Sequence, residues 1–236
     1  MMKMNNQYLV RKNISTIVLE KAYRLIYPNK CLFCRQILTN QNEVICIDCI
    51  CSIHYVFDTG SDKFGIKNRY YAAFEYTEPV RQLIFRYKYE GKKMLASSMA
   101  KAIFQRFGAL TADFIVPVPL HPKRINQRGY NQSLLLGLEI SLLLNIPIYD
   151  CLQRVKNTQK QFGLKAEERI LNMSGAFALK ENFNVAGWDI LLVDDILTTG
   201  ATAAECFKVF ETAGAKSVKL ITFAASTLKT GVENSS

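Results

Sequence analysis

The chain has 236 residues, of which 49% are hydrophobic and 21% are charged, and its formal net charge at pH 7 is +10. This composition excludes an intrinsically disordered chain, and the length allows one sizeable core with a small satellite domain. No uninterrupted apolar run approaches the ~20 residues of a membrane-spanning helix. The amino-terminal segment lacks the apolar stretch of a secretory signal, so the sequence predicts a cytoplasmic protein.

Residues 14–26 carry apolar side chains at helical spacing, and Pro28 follows them. This pattern predicts a helix that ends before the proline and packs beside the cysteine-rich segment that comes next. We therefore expect residues 1–60 to form an amino-terminal module and residues 61–236 to form a second domain.

Five of the seven cysteines lie between residues 31 and 51, where they include two CxxC pairs. Two such pairs are typical of a tetrahedral zinc site, and in a cytoplasmic chain a metal is favoured over disulfides. The predicted ligands are Cys31, Cys34, Cys46 and Cys49. Cys51 is an alternative ligand and His54 a weaker one, and free thiols or a redox pair are the alternative interpretation. Four protein ligands leave no open position, so the predicted zinc is structural and supplies much of the folding energy of a segment with few apolar residues.

The middle of the chain is basic, with ten Lys or Arg residues and two acidic residues between positions 81 and 128. An aromatic strand is predicted at residues 69–76, followed by a helix with an apolar face and a second helix over residues 92–107. Arg81, Arg86 and Lys88 are predicted to lie off the apolar face. These charges indicate either a solvated surface or a nucleic-acid surface on which Tyr87 and Tyr89 stack bases.

A second segment combines a strand with basic residues. The strand over residues 113–120 ends in two prolines, which do not fit a central hydrogen-bonded ladder. The loop that follows carries Lys123, Arg124 and Arg128, and arginine forks pair well with the oxygens of a pyrophosphate. A helix is predicted from Leu134 to about Leu144. Residues 151–164 are polar and basic with no clear period, and they indicate either a mobile lid or a surface connection.

The most informative run is residues 190–202, in which four aliphatic residues precede Asp194 and Asp195. The aliphatic residues predict a strand buried on both faces, and a loop and a helix follow it. The helix start offers hydroxyls and N–H groups that suit a phosphate. The loop and helix-start residues are Thr198, Thr199, Gly200, Ala201 and Thr202. Paired carboxylates accept hydrogen bonds from a vicinal diol, directly or through a metal ion, so the run describes a ribose 5-phosphate site. The alternative is a Thr-capped helix beside two solvated aspartates.

This run closely resembles the motif with which type I phosphoribosyltransferases bind 5-phosphoribosyl 1-pyrophosphate (PRPP). Together with residues 116–121 and 128–132, it is similar to the ComF family of competence-associated proteins, which also carries a four-cysteine zinc module. Arg154, Thr158 and Gln161 match the same family pattern. The resemblance implies an α/β fold, with a type I phosphoribosyltransferase-like parallel sheet that has helices on both faces, plus the small amino-terminal zinc-binding module.

The resemblance also implies a function. Asp194 and Asp195 would hold the ribose hydroxyls, with Mg²⁺ bound alongside PRPP, and residues 198–202 would hold the 5-phosphate. Lys123, Arg124 and Arg128 would face the pyrophosphate. We expect a phosphoribosyltransferase-like protein that acts in DNA uptake during natural transformation, although no residue stands out as the base for an acceptor. The alternative is a non-catalytic accessory protein that binds single-stranded DNA or a competence helicase or translocase, through which it would associate with the membrane.

Overall fold

The structure, a computed structural model, describes residues 28–40, 42–56, 66, 69–156 and 174–226. The helix predicted at residues 14–26, most of the predicted lid including Thr158 and Gln161, and the predicted domain boundary at residue 60 lie outside these ranges. None of the described helices is long and apolar enough to cross a bilayer.

Twelve elements lie in the described ranges. The helices are α1 Ile47–Ser52, α2 Glu78–Tyr89, α3 Leu95–Phe107, α4 Pro122–Arg128, α5 Gln132–Leu144 and α6 Ala201–Thr212. The strands are β1 Tyr70–Glu75, β2 Phe114–Pro117, β3 Leu152–Arg154, β4 Phe177–Leu179, β5 Asp189–Leu197 and β6 Ser217–Ala225.

Four parallel strands form the main sheet in the order β1-β6-β5-β2, and β3 and β4 form a separate antiparallel pair. The four aliphatic residues of β5 are each at most 2% exposed, as expected for a strand covered on both faces. One core lies between the sheet and helices α2, α3 and α5. The other lies between the sheet, α6 and the β3–β4 pair. The predicted parallel sheet with helices on both faces is confirmed.

The cysteine-rich segment shares the first of these cores. Leu32 and Ile45 are buried in it, and the ring of Phe33 packs edge-on against Phe74 of β1 with centroids 5.5 Å apart. The N–H of Glu75 donates to the carbonyl of His54 at 2.9 Å, so the chain after α1 pairs with the outer edge of β1. This contact covers an edge strand that would otherwise expose unpaired backbone groups.

The basic loop after β2 contains a short helix that the sequence did not predict. His121 caps α4 by accepting a hydrogen bond at Nδ1 from the N–H of Lys123 (3.3 Å), and Pro122 takes the first helical position, where a proline costs no hydrogen bond. Gly129 ends the helix with a left-handed φ of 77°. Lys123, Arg124 and Arg128 are thereby placed on a helix instead of an extended loop.

Candidate ligand site and metal centre

The loop between β5 and α6 is anchored to the end of the neighbouring strand. The N–H of Ser226 donates to the carbonyl of Leu197 at 2.8 Å, and its hydroxyl donates to the carbonyl of Thr198 at 2.9 Å. Gly200 has a left-handed φ of 79°, a conformation that glycine adopts at little cost. The chain therefore leaves the sheet in a tight, fixed turn and enters α6 directly.

The amino end of α6 points back toward the sheet end. The N–H of Ala201 donates to Oγ1 of Thr199 at 3.5 Å, and the first helical bond runs from the N–H of Ala204 to the carbonyl of Gly200 at 2.8 Å. The first turn of α6 contains no acidic side chain. No negative side chain in that turn would repel an anion. The helix N–H groups and the positive end of the helix dipole therefore suit an anion such as phosphate.

Asp194 is partly exposed at this end of β5. Its Oδ1 accepts hydrogen bonds from the hydroxyl of Ser133 at 2.8 Å and from the N–H of Asp195 at 2.9 Å. Burial, followed by the charge of Asp195, raises the pKa of Asp194 to about 7, although Lys88 and the Ser133 hydroxyl act in the opposite direction. The carboxyl of Asp194 is therefore protonated more readily than an exposed aspartate.

Ser133 reaches Asp194 because Asn131 fixes the start of α5. The side-chain oxygen of Asn131 accepts from the N–H groups of Ser133 (3.0 Å) and Leu134 (3.4 Å), and its amide donates to the carbonyl of Val118 at 3.1 Å. This cap ties the helix to the end of β2. The helix begins at Gln132, two residues before the predicted start, and the cap signal was present in the sequence as Asn131.

Asp195 points toward α2 and is only 2% exposed. Nζ of Lys88 lies 2.6 Å from its Oδ2, and the lysine side chain is 16% exposed. The prediction that Lys88 lies off the apolar face of its helix is therefore wrong. Lys88 follows Ile84 by four residues, which places both on one helix face, so the spacing could have identified it.

The basic residues occupy three different settings. Lys123 is exposed, and Arg128 donates to the hydroxyl of Tyr89 at 3.1 Å while its guanidinium lies 4.9 Å from the centre of that ring. Arg124 is partly buried, and burial followed by the charge of Arg128 lowers its pKa. Arg154 lies at the end of β3, where burial, followed by the charge of Arg124, lowers its pKa to about 10.

In addition to burial, the charge of Arg124 lowers the pKa of Arg154, whereas the charge of Asp194 raises it, and we call Arg124 and Arg154 the basic cluster. The sequence assigned Arg154 to a segment that is either a mobile lid or a surface connection, and its position on a strand was missed because β3 is only three residues long. Tyr87, predicted as a base-stacking residue, is fully buried, and its hydroxyl donates to the carbonyl of Gln132 at 2.7 Å. That prediction is wrong, whereas Tyr89 is 60% exposed.

The four cysteines of the two CxxC pairs converge. Their Sγ atoms all lie within 4.8 Å of one another, and tetrahedral coordination with Zn–S bonds of about 2.3 Å would separate them by roughly 3.8 Å. Burial raises the pKa of Cys31, but backbone N–H donors from Cys46, Cys34 and Phe33 outweigh it and lower that pKa to about 7. Burial and the neighbouring sulfurs raise the pKa of Cys49, so the cation that would hold all four thiolates is the metal itself. The cluster therefore fits a metal ion.

The two alternative ligands lie outside this cluster. Cys51 is exposed and is not among the grouped thiols, and Nδ1 of His54 lies 3.4 Å from a carboxylate oxygen of Glu75. The four predicted cysteines are the ones that the fold brings together.

Comparison with known proteins identifies the family of this chain. Residues 131–235 match the phosphoribosyl transferase domain model. Competence protein F of Haemophilus influenzae is 34% identical over 154 residues, which cover 61% of this chain and 67% of that protein. The chain belongs to the ComF family. Competence protein ComFC of Streptococcus pneumoniae is 25% identical over 221 residues, covering 80% of this chain and 97% of that protein.

A search of solved structures found hypoxanthine phosphoribosyl transferase of Trypanosoma cruzi, with a TM-score of 0.35 and 14% identity over 59% of this chain and 75% of that one. The phosphoribosyltransferase-like fold of this ComF protein rests on the family model and on the parallel sheet with its loop after β5.

The raised pKa of Asp194 predicts a pH dependence of stability. This carboxyl titrates near 7 in the folded chain, against an ordinary value of 3.8, so the folded state holds an extra proton between these values and its free energy of unfolding falls as pH rises through that window. Asp194→Asn should remove this contribution and gain stability relative to the wild type between pH 5 and pH 8, as measured by urea denaturation.

The matched control is Asp189→Asn, at the other end of the same strand. Hydrogen bonds from Lys216 and Ser217 lower the pKa of Asp189, so its titration lies below pH 5 and the difference from wild type should stay constant from pH 5 to 8. An Asp194→Asn variant that parallels the wild type over this range would contradict the assignment.

Proposed function

We propose that this ComF protein binds PRPP with Mg²⁺ at the carboxyl end of β5 and acts in DNA uptake during natural transformation. The observation that carries the proposal is the placement of Asp194 and Asp195 at the end of β5, one tight turn before a helix start that is free of acidic residues in its first turn. The helix start suits an anion and the paired carboxylates suit a diol, and these are the 5-phosphate and the ribose of PRPP. The competence names of the two relatives motivate the cellular role.

The 5-phosphate would lie against the amino end of α6. Residues 198–202 supply backbone N–H groups and the hydroxyls of three threonines at this point. Ala201 and Ala203 are small and buried at 7% and 4% exposure, so the helix start packs closely on the sheet without long side chains of its own. The turn anchored by Ser226 keeps these groups in place before the ligand arrives, which reduces the cost of binding.

The ribose hydroxyls would meet the paired carboxylates. Asp194 is the partly exposed member, and Asp195 would join it by leaving its contact with Lys88. Mg²⁺ is usually held by one or two carboxylates together with substrate phosphates, so these two side chains fit the ion when PRPP accompanies it. Bound there, the ion would supply positive charge to the pyrophosphate oxygens.

The pyrophosphate would face the basic cluster. Arg124 and Arg154 are partly buried neighbours of the same charge, and an anion between them would relieve their mutual repulsion. Lys123 and Arg128 would add positive charge from the same short helix. If pyrophosphate leaves C1 of the ribose, these residues would stabilise the charge that develops on it.

The proposed site is tested by isothermal titration of PRPP in the presence of Mg²⁺. Wild type should bind, and Asp194→Asn should weaken binding by about 10- to 100-fold, because hydrogen bonds to a charged group contribute about 1.5–3 kcal/mol. Asp189→Asn is the control on the same strand and should bind as the wild type does. Wild-type protein that is folded and metal-loaded yet binds no PRPP would refute the proposal.

We further propose that the metal at the four cysteines is zinc. Thiolate ligands favour zinc among the available divalent ions, and four of them leave no position for a substrate. Purified protein should contain about one zinc per chain. Because the module shares a core with the sheet, Cys34→Ser should lower both the zinc content and the stability of the whole described domain, as followed by metal analysis and thermal unfolding.

The matched control for the zinc site is Cys51→Ser. Cys51 is exposed and lies outside the cluster, so this variant should keep its zinc and its melting temperature. A Cys34→Ser variant with full zinc content would contradict the assignment.

A second candidate function, the binding of single-stranded DNA, is favoured by an exposed aromatic surface on α2. Phe85 and Tyr89 are 55% and 60% exposed, and their ring centroids lie 5.1 Å apart. The guanidinium of Arg128 lies over the Tyr89 ring, and Arg81 and Arg86 come from the same helix. Aromatic rings beside arginines are the usual platform for bases and phosphates of single strands.

This second function predicts that Tyr89→Ala weakens the binding of an oligothymidine strand by about tenfold, since stacking on one base contributes about 1–3 kcal/mol. Charge reversal of Arg81 and Arg86 should weaken binding and reduce its salt dependence. Phe104→Ala, which alters a partly exposed phenylalanine on α3, is the control in a fluorescence anisotropy titration. Binding that is insensitive to all three changes on α2 would exclude this surface.

A further inference from the structure

We propose that Lys88 is an internal cation that competes with a divalent metal ion for Asp195. The proposal rests on the proposed PRPP site and specifies how that site admits its metal. In the ligand-free protein the ammonium group of Lys88 pairs with Asp195, so a metal ion that binds without PRPP would contact only Asp194. The metal would gain the second carboxylate when PRPP brings phosphate oxygens to the same ion.

The direction of Asp195 follows from the strand period. Leu191 and Val193 pack in the core that also contains Val80 and Ile84 of α2, and alternate residues of a strand face the same side. Asp195 follows Val193 by two residues and therefore faces α2. Lys88 follows Ile84 by four residues on that helix, so the two charges meet where the apolar core ends.

The ion pair between Lys88 and Asp195 is largely shielded from solvent. Asp195 is 2% exposed, and its Oδ2 lies 2.6 Å from Nζ of Lys88, while no other polar group of the described residues hydrogen-bonds to that oxygen. The charge of Asp195 raises the pKa values of three surrounding tyrosines, for each of which burial is the larger cause: Tyr76, Tyr87 and Tyr130. The carboxylate thus acts electrostatically on these three phenols, and Lys88 is the cation in contact with it.

The contact joins an ammonium group to a buried carboxylate, and a divalent metal ion is a second cation that competes for the same carboxylate oxygens. A buried carboxylate that is left without a paired cation is strongly destabilised, which explains why a lysine is held there before a ligand binds. A divalent ion carries twice the charge of the ammonium group but must lose tightly bound water molecules to reach the carboxylate. Phosphate oxygens from PRPP would offset that loss, so exchange of Lys88 for the metal ion is favoured only with PRPP present.

The test uses Mn²⁺ alone as the probe, with binding followed by electron paramagnetic resonance in the absence of PRPP. Lys88→Met should bind Mn²⁺ about tenfold more tightly than the wild type, a coupling in the usual range for two competing occupants. Lys88→Arg retains the cation and should resemble the wild type. Lys208→Met removes an exposed lysine from α6 and should also resemble it.

Adding Asp195→Asn to Lys88→Met should return Mn²⁺ affinity to the wild-type level, because the extra affinity comes from the carboxylate that Lys88 released. Unchanged or weaker Mn²⁺ binding in the folded Lys88→Met variant would overturn the proposal. So would an increase that persists in the double variant.

A further comparison covers the case in which Lys88→Met does not fold. In an otherwise wild-type chain, Asp195→Asn should leave the affinity for Mn²⁺ alone nearly unchanged, because that carboxylate is already occupied, whereas Asp194→Asn should reduce it. Equal losses in the two variants would overturn the proposal. Failure of the wild type to bind PRPP would remove the proposed function, while these Mn²⁺ measurements would still decide the role of Lys88.

Discussion

The site depends on one constraint, namely that the two adjacent carboxylates at the end of β5 are held by two different helices, α5 and α2. Asp194 and Asp195 are neighbours in sequence, yet one meets Ser133 and the other meets Lys88. Their environments differ accordingly, since Asp194 is partly exposed and Asp195 lies at the edge of the core. The two carboxylates therefore have separate tasks: one is available to a ligand, and the other is held by a lysine.

The same sheet links the site to the cysteine cluster. β1 is an edge strand of the sheet, and the chain that leaves the cluster pairs with it through the carbonyl of His54. Phe74 of β1 packs against Phe33 from the cluster and Phe223 from β6, and β6 also anchors the turn after β5. A metal ion that orders the cysteine segment would thereby support β1 and, through β6, the turn after β5, although the ion lies outside the ligand site.

Sequence reasoning was strongest where a local pattern determines local structure. The aliphatic run of β5, the turn at Gly200 and the spacing of the cysteines each have a physical reason that does not require knowledge of the rest of the chain. The pairing of Lys88 with Asp195 depends on how α2 lies against the sheet, and the approach of Arg154 to Arg124 depends on a three-residue strand. Such arrangements arise from tertiary packing, so hydrophobic periodicity alone did not assign them.

The helix after Pro122 was missed for a different reason, because seven residues with no apolar face give no periodic signal.

Helix α2 connects the two candidate functions because it contributes to both through different faces. Lys88 faces inward to Asp195, and the adjacent Tyr89 faces outward beside Phe85 and Arg128. If PRPP and its metal displace Lys88, the ammonium must find a new position near the outer surface, where it would add positive charge to the aromatic platform. Linkage then requires the reverse effect as well: a nucleic acid that attracts Lys88 outward would free Asp195 and tighten the binding of PRPP with its metal. The two functions would then be coupled through a single side chain, and a variant that removes Lys88 would separate them while leaving each surface in place.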